Sequence, residues 1–74
     1  MTLEYAQALG WCRKAADQNF ADAEHEVGYF YHAGLGVNRD YAGALAWYRR
    51  AADHGNSNAE NQLGYMAEAG WDQP

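Results

Sequence analysis

Apolar residues in this chain recur at the spacing of an α-helix. Leu9, Cys12 and Ala16 fall at positions i, i+3 and i+7, and no segment shows the strict alternation of a half-buried strand. Glycine and asparagine interrupt the pattern at 18–19, 34–38 and 55–57, where they supply the positive φ that helix C-terminal caps and turns require. The pattern predicts four helices, near residues 4–18, 22–33, 41–54 and 58–69.

The same pattern occurs twice along the chain. Shifting the sequence by 36 positions places Tyr5 on Tyr41, and 15 of 34 aligned pairs are then identical. The identities continue from there to the last glycine, with Gly34 opposite Gly70. The chain therefore contains two copies of one helical unit, and such a unit cannot bury its apolar faces alone.

Polar residues at the predicted helix starts indicate how the helices begin. Asp40 is placed to cap the third helix, and Asp22 and Asn58 are expected to do the same for the second and fourth helices. The first helix has Glu4 at the position equivalent to Asp40. Glu4 is a weaker capping residue, so Thr2 is the alternative there.

Each repeat contains both small and aromatic residues, and these predict how the helices pack. Four alanines should let the helices approach closely: Ala8, Ala15, Ala44 and Ala51. Four aromatic residues are expected to fill the core: Trp11, Tyr31, Trp47 and Tyr48. Gly28 and Gly64 should leave room for a crossing helix. Cys12 is the single cysteine, so an intrachain disulfide is excluded and a small buried hydrophobe is expected.

The net charge of the chain restricts the classes of partner that it is expected to bind. The net charge is -5, with ten acidic and five basic residues. Binding to nucleic acid or to acidic membrane surfaces needs clustered cations, so neither is expected. No apolar run approaches the roughly 20 residues of a membrane-spanning helix, and the first residues lack the pattern of a signal peptide. If Met1 is the native start, the default location is the cytoplasm.

A set of residues through the chain resembles the Sel-one-like repeat, a relative of the tetratricopeptide repeat. The resemblance is carried by Ala21-Asp22-Ala23, Val27-Gly28, Tyr31, Gly34-Leu35-Gly36-Val37, Asp40-Tyr41, Ala44-Leu45, Trp47-Tyr48, Ala51-Ala52 and Gly55. It implies an all-α fold, a short right-handed solenoid of antiparallel helix pairs in the order helix B, A, B, A. One module over 1–74 would then hold a helix B half unit at 1–20, a complete repeat at 21–55, and a helix A half unit with a terminal tail at 56–74.

The resemblance also implies a function, because members of this family commonly act as adaptors and scaffolds. It implies no catalysis and no cofactor, and it makes a protein or peptide the expected partner. In such stacks, helix A side chains that do not pack inward line a concave surface. The side chains expected there are Asp22, His25, Tyr29 and His32 on the first helix A, and Asn58, Asn61, Tyr65 and Glu68 on the second. Polar groups with exposed tyrosine suit an extended peptide or a partner helix. A solvated face without a partner is the alternative.

Other functional hypotheses stay open. The end helices could stack on another copy or on further repeats, which would make the chain a self-assembling unit or a piece of a longer solenoid. A toxin-neutralising immunity protein is a special case of the adaptor, although nothing in the sequence points to a toxin. A metal site at His25 and His32 is disfavoured, because residues seven apart lie roughly 10.5 Å apart along a helix. Trp71 would either cover the last helix or contact a partner.

Overall fold

Four α-helices make up the computed structural model, which describes residues 2–69. They are α1 (Thr2–Ala16), α2 (Ala21–Ala33), α3 (Tyr41–Asp53) and α4 (Ser57–Ala69), and no strand occurs among these residues. Each helix packs mainly on its neighbours in sequence, and the contact of α2 with α3 is the most extensive. The predicted all-α solenoid is confirmed. None of the helices in the described part of the chain has the length and apolar character needed to cross a membrane.

The turns lie where the sequence predicted them. Asn19 adopts a φ of 64° after α1, and Gly34 and Gly55 have φ values of 72° and 96° after α2 and α3. These left-handed conformations stop a helix and redirect the chain. The prediction for Trp71 falls on residue 71, outside the described residues.

Two of the helix starts carry side-chain caps. The Gly43 amide donates to Oδ1 of Asp40 at 2.9 Å, which confirms the predicted cap of α3. At α4 the cap is Asn56, whose Oδ1 accepts a hydrogen bond from the Ala59 amide at 2.7 Å. Asn58 had been predicted for this role, and that prediction was wrong because α4 begins at Ser57 and so includes Asn58.

The starts of α2 and α1 also differ from the prediction. Phe20 is the N-cap residue of α2 and makes no side-chain capping hydrogen bond. Asp22 lies within the first turn of α2 and instead accepts a hydrogen bond from Nδ2 of Asn56 at 2.8 Å, which ties α2 to the start of α4. Glu4 lies inside the first turn of α1, because that helix begins at Thr2. An acidic side chain there still favours the helix through the macrodipole.

The core forms two apolar clusters. The first joins α1 to α2 through Leu9, Ala16, Val27 and Phe30, and the second joins α3 to α4 through Ala44, Tyr48, Ala51, Ala59 and Met66. Tyr31 packs against both clusters and Cys12 against the first, in each case as a partly buried side chain. The clusters link successive helices, so the core runs along the row of helices.

The two equivalent tryptophans have different environments. Trp47 is half-buried against the first cluster, although it lies on α3. Trp11 is 71% exposed, and its predicted core position was wrong. The difference follows from position in the row, because α1 and α2 precede Trp47 whereas no described helix precedes α1.

The two equivalent glycines differ in the same way. A Cβ atom on Gly28 would lie 2.8 Å from Cε1 of Tyr48 and 3.3 Å from the carbonyl oxygen of Ala44, so this glycine does make room for α3. A Cβ atom on Gly64 would meet no other atom within 4 Å. The expectation for Gly64 was therefore wrong, because no described helix follows α4 to press against it.

This contrast gives a matched pair of variants. Gly28→Ala is expected to lower the free energy of unfolding by about 1–3 kcal/mol, because the added methyl group overlaps the Tyr48 ring. Gly64→Ala is expected to raise it by about 0.5–1 kcal/mol, because a helical glycine is replaced in open space. Urea unfolding of both variants measures the difference. Equal effects at the two sites would contradict the packing described here.

Candidate functional site

The predicted helix A surface begins with four residues of α2, here called the α2 row: Asp22, His25, Tyr29 and His32. Asp22 and Tyr29 are exposed, and the two histidines are half-buried. The His25 ring lies 5.4 Å from the Tyr48 ring, and Nδ1 of His32 lies 3.4 Å from the Tyr48 hydroxyl. Tyr48 is itself only 1% exposed. Both histidines therefore rest on one buried side chain of α3, which fixes their orientation.

Aromatic rings continue across this surface from α2 onto α3. Tyr29 meets His32 edge-on at a centroid distance of 6.1 Å, and His32 lies 6.3 Å from the ring of Tyr41. The guanidinium of Arg39 sits over Tyr41 at 5.8 Å. Tyr29 and Tyr41 keep 45% and 39% of their surface exposed. Tyr41 was not predicted to be a surface residue. Tyr5 is the same residue type at the equivalent position of the other repeat, but this repetition does not show whether the side chain faces the core or the surface.

Two of the groups that build this surface have shifted pKa values that keep them uncharged. Burial, with a smaller effect from the Arg39 charge, lowers the pKa of His32. Burial, followed by the effects of Tyr29 and Glu26, raises the pKa of Tyr48 to about 12. At neutral pH the His32 ring and the Tyr48 hydroxyl are therefore both predominantly neutral. His32 keeps part of its ring at the surface, whereas the Tyr48 side chain is covered and supports it.

The second part of the predicted surface lies on α4 and is called the α4 row: Asn58, Asn61, Tyr65 and Glu68. All four are exposed, Tyr65 by 59%. They repeat the spacing of the α2 row, but α4 is the last described helix and has no equivalent of α3 against it. The structure thus places one predicted row against the following helix and leaves the other row more open.

A buried carboxylate that was not predicted from the sequence joins α2 to α3. Glu24 has no exposed surface, and its Oε1 lies 2.6 Å from Nδ1 of His54. Its Oε2 lies 3.3 Å from Nε of Arg50 but makes no hydrogen bond to a described residue. A sequence signal for this existed, because Glu24 occupies the same helix face as Val27 and Gly28, at i+3 and i+4. A charged residue on an apolar face needs a partner when it is buried.

The Glu24 pair is best explained as a structural link. A carboxylate that orients a histidine also occurs in hydrolases, where the histidine activates a nucleophile. No hydroxyl or thiol among the described residues is hydrogen-bonded to His54. Burial, reinforced by the charge of Glu26, raises the pKa of the Cys12 thiol, which disfavours its reactive thiolate. No group of three or more potential metal ligands occurs in the described part of the chain.

Comparison with known proteins agrees with this geometry. A family model described as Sel1 repeat matches residues 4–20, 21–56 and 57–74, which is nearly the whole chain. The chain belongs to the Sel1 repeat family. The resemblance inferred from the sequence is therefore confirmed, and the repeat offset of 36 residues corresponds to the length of the central Sel1 match.

A solved structure shows the same arrangement. The crystal structure of a Sel1 repeat protein from Oxalobacter formigenes superposes with a TM-score of 0.82 at 45% sequence identity. The match covers 88% of this chain but 27% of that protein, so this chain spans about a quarter of its length. No curated protein matches the chain. Sel1 repeats are generally protein–protein interaction modules, and proteins built from them are generally non-enzymatic scaffolds.

Proposed function

We propose that this Sel1 repeat module is an adaptor that holds a protein or peptide partner against its helix A rows and catalyses no reaction. The observation that carries the proposal is the run of rings formed by the exposed Tyr29 and Tyr41 with the half-buried His32 between them, packed on Tyr48. Rings that are already oriented lose little conformational freedom on binding. They therefore contribute contact area at low entropic cost.

The chemistry of the surface favours a peptide over a charged polymer. Aromatic rings contact apolar side chains, and neighbouring polar groups such as Asp22 and Asn61 bind backbone amides and carbonyls. The chain has twice as many acidic as basic residues, so phosphate backbones and anionic membranes are poor partners. The expected ligand is an extended segment or a helix with apolar anchors and basic or neutral flanks.

Both helix A rows contribute to the proposed surface. The α4 row repeats the α2 row 36 residues later, with Tyr65 at the position of Tyr29 and Glu68 at that of His32. A partner that follows the stack of helices would meet a tyrosine at each repeat. Recognition by several repeats in succession is how such quasi-linear arrays gain affinity.

The proposal is tested with peptides selected by display against the immobilised chain. Tyr29→Ala is expected to weaken the selected peptides by about tenfold or more, because a central aromatic anchor is lost. Trp11→Ala is the matched control, because Trp11 is also an exposed aromatic residue but lies on α1, outside both rows. Titration calorimetry measures both variants, and circular dichroism checks that each remains helical.

Two outcomes would count against the adaptor surface. Peptides that bind Tyr29→Ala as tightly as the natural chain would place recognition elsewhere. Peptides that lose affinity with Trp11→Ala but not with Tyr29→Ala would assign recognition to the outer face of α1.

A further inference from the structure

The two ends of the helix row expose surfaces that are covered inside the row. At one end, α1 presents Trp11, which is 71% exposed, with Nζ of Lys14 over its ring at 5.1 Å. Gln7 and Gly10 line the same shallow depression. An exposed tryptophan beside a cation is the kind of surface that interfaces bury.

An equivalent pair, a tryptophan under a basic side chain, recurs inside the row, where it is partly covered. Arg50 lies over the ring of Trp47 at 4.6 Å, and these residues are the repeat equivalents of Lys14 and Trp11. Trp47 is half-buried, and Nε of Arg50 reaches the carboxylate of Glu24 on α2. The contact between α2 and α3 thus shows how such a pair packs when a helix A lies against it: the tryptophan becomes half-buried and the basic side chain reaches a glutamate of helix A.

The opposite end of the row exposes the complementary surface. Glu60 and Gly64 on α4 are the repeat equivalents of Glu24 and Gly28 on α2. Glu24 and Gly28 are buried under α3, whereas Glu60 and Gly64 are both exposed. The end formed by α4 therefore presents, uncovered, the surface on which α2 receives α3.

We propose that α4 of one copy of this chain docks against α1 of a second copy, head to tail, in the way that α2 docks against α3 within the chain. Among the described helices α1 is a helix B and α4 is a helix A, so α4 of one copy followed by α1 of the next would have the helix order of one complete repeat. Lys14 of one copy would pair with Glu60 of the other, as Arg50 pairs with Glu24. Lys14 and Glu60 are both exposed and carry opposite charges, as this pairing requires.

The junction between copies would be weaker than the internal one. Cys12 replaces Tyr48, and Gln18 replaces His54, so both ring packing and hydrogen bonding to the carboxylate are reduced. Such an interface is heterologous, because different faces meet, and it extends into short filaments. Tyr65 would remain outside the junction, as Tyr29 does beside the internal one. The inference is independent of the proposed adaptor function.

Sedimentation velocity over a concentration series tests the proposal. The natural chain is expected to increase in mass with concentration. Lys14→Glu and Glu60→Lys are each expected to weaken the association by about tenfold or more, because every junction then brings like charges together. Mixing the two variants is expected to restore association, because each junction in the mixture can pair opposite charges. Both residues are exposed, so circular dichroism should show unchanged folding.

The two single variants and their mixture separate head-to-tail stacking from the other arrangements. In a symmetric dimer through α1 alone Glu60→Lys would leave the association unchanged, and in one through α4 alone Lys14→Glu would do so; either result would overturn the proposal. A natural chain that stays monomeric to millimolar concentration would also overturn it. In that case the exposed faces of α1 and α4 would be expected to contact other repeats or a different protein. Peptide binding by the helix A rows is measured separately and does not depend on this outcome.

Discussion

Replacing Arg50 and His54 together with alanine is expected to lower the free energy of unfolding by about 3–5 kcal/mol. These two residues are the charge and hydrogen-bond partners of Glu24, whose side chain has no exposed surface. Without them a carboxylate stays in the interior between α2 and α3 with nothing to compensate its lost hydration. The cost arises at Glu24, although the substituted side chains are themselves 46% and 38% exposed.

A third substitution distinguishes this cause from simple loss of contacts. Glu24→Met in the same background is expected to recover most of the stability, because it removes the uncompensated charge and keeps an apolar side chain of similar size. Glu24→Met alone should change the stability by about 1 kcal/mol or less. Urea unfolding at pH 7 measures all three variants. If the triple variant is as unstable as the double variant, the loss comes from Arg50 packing on Trp47 and not from the buried charge.

Gly36→Ala is expected to lower the free energy of unfolding by about 2–4 kcal/mol, from two causes that add. Gly36 has a φ of 74°, a conformation that alanine adopts only at a cost. A Cβ atom there would also lie 2.6 Å from the amide nitrogen of Ala6 and 2.7 Å from the carbonyl carbon of Tyr5. These are backbone atoms of α1, so no side-chain rotation relieves the overlap.

Gly55→Ala is the control for Gly36→Ala. Gly55 also has a positive φ, of 96°, but a Cβ atom there would meet nothing within 4 Å. This variant is expected to lose only the conformational part, about 1–2 kcal/mol. Thermal and urea unfolding of both variants give the difference. A cost at Gly36 no larger than that at Gly55 would mean that the loop after α2 moves away from α1 with little loss of packing.

Much of the fold could be predicted from the sequence because its determinants are local. Helical spacing, the breaks at Asn19, Gly34 and Gly55, and the cap at Asp40 each depend on residues within a few positions of one another. Asp22 and Asn58 were wrong as caps because the residues at the N-cap positions of α2 and α4, Phe20 and Asn56, lie two positions earlier. A shift of two residues moves a polar side chain from the cap into the first turn.

The candidate site could be predicted only in part. Spacing along α2 correctly put Tyr29 on an exposed face, but it could not show that His25 and His32 both rest on Tyr48, sixteen or more positions away. Nor could it show that Tyr41 joins the same surface from α3. These contacts depend on how two helices pack, which identical residue types in a repeat do not specify.

By itself the sequence determined the repeat, the four helices and the family, because periodicity and turn-forming residues act over short distances along the chain. The tertiary structure decided which equivalent residues are covered. Glu24 is buried and Glu60 is exposed, and Trp47 is half-buried while Trp11 is 71% exposed, although each pair has the same residue type at the same place in the repeat. The physical reason is that burial depends on the helix that lies alongside, and the first and last described helices each lack one neighbour.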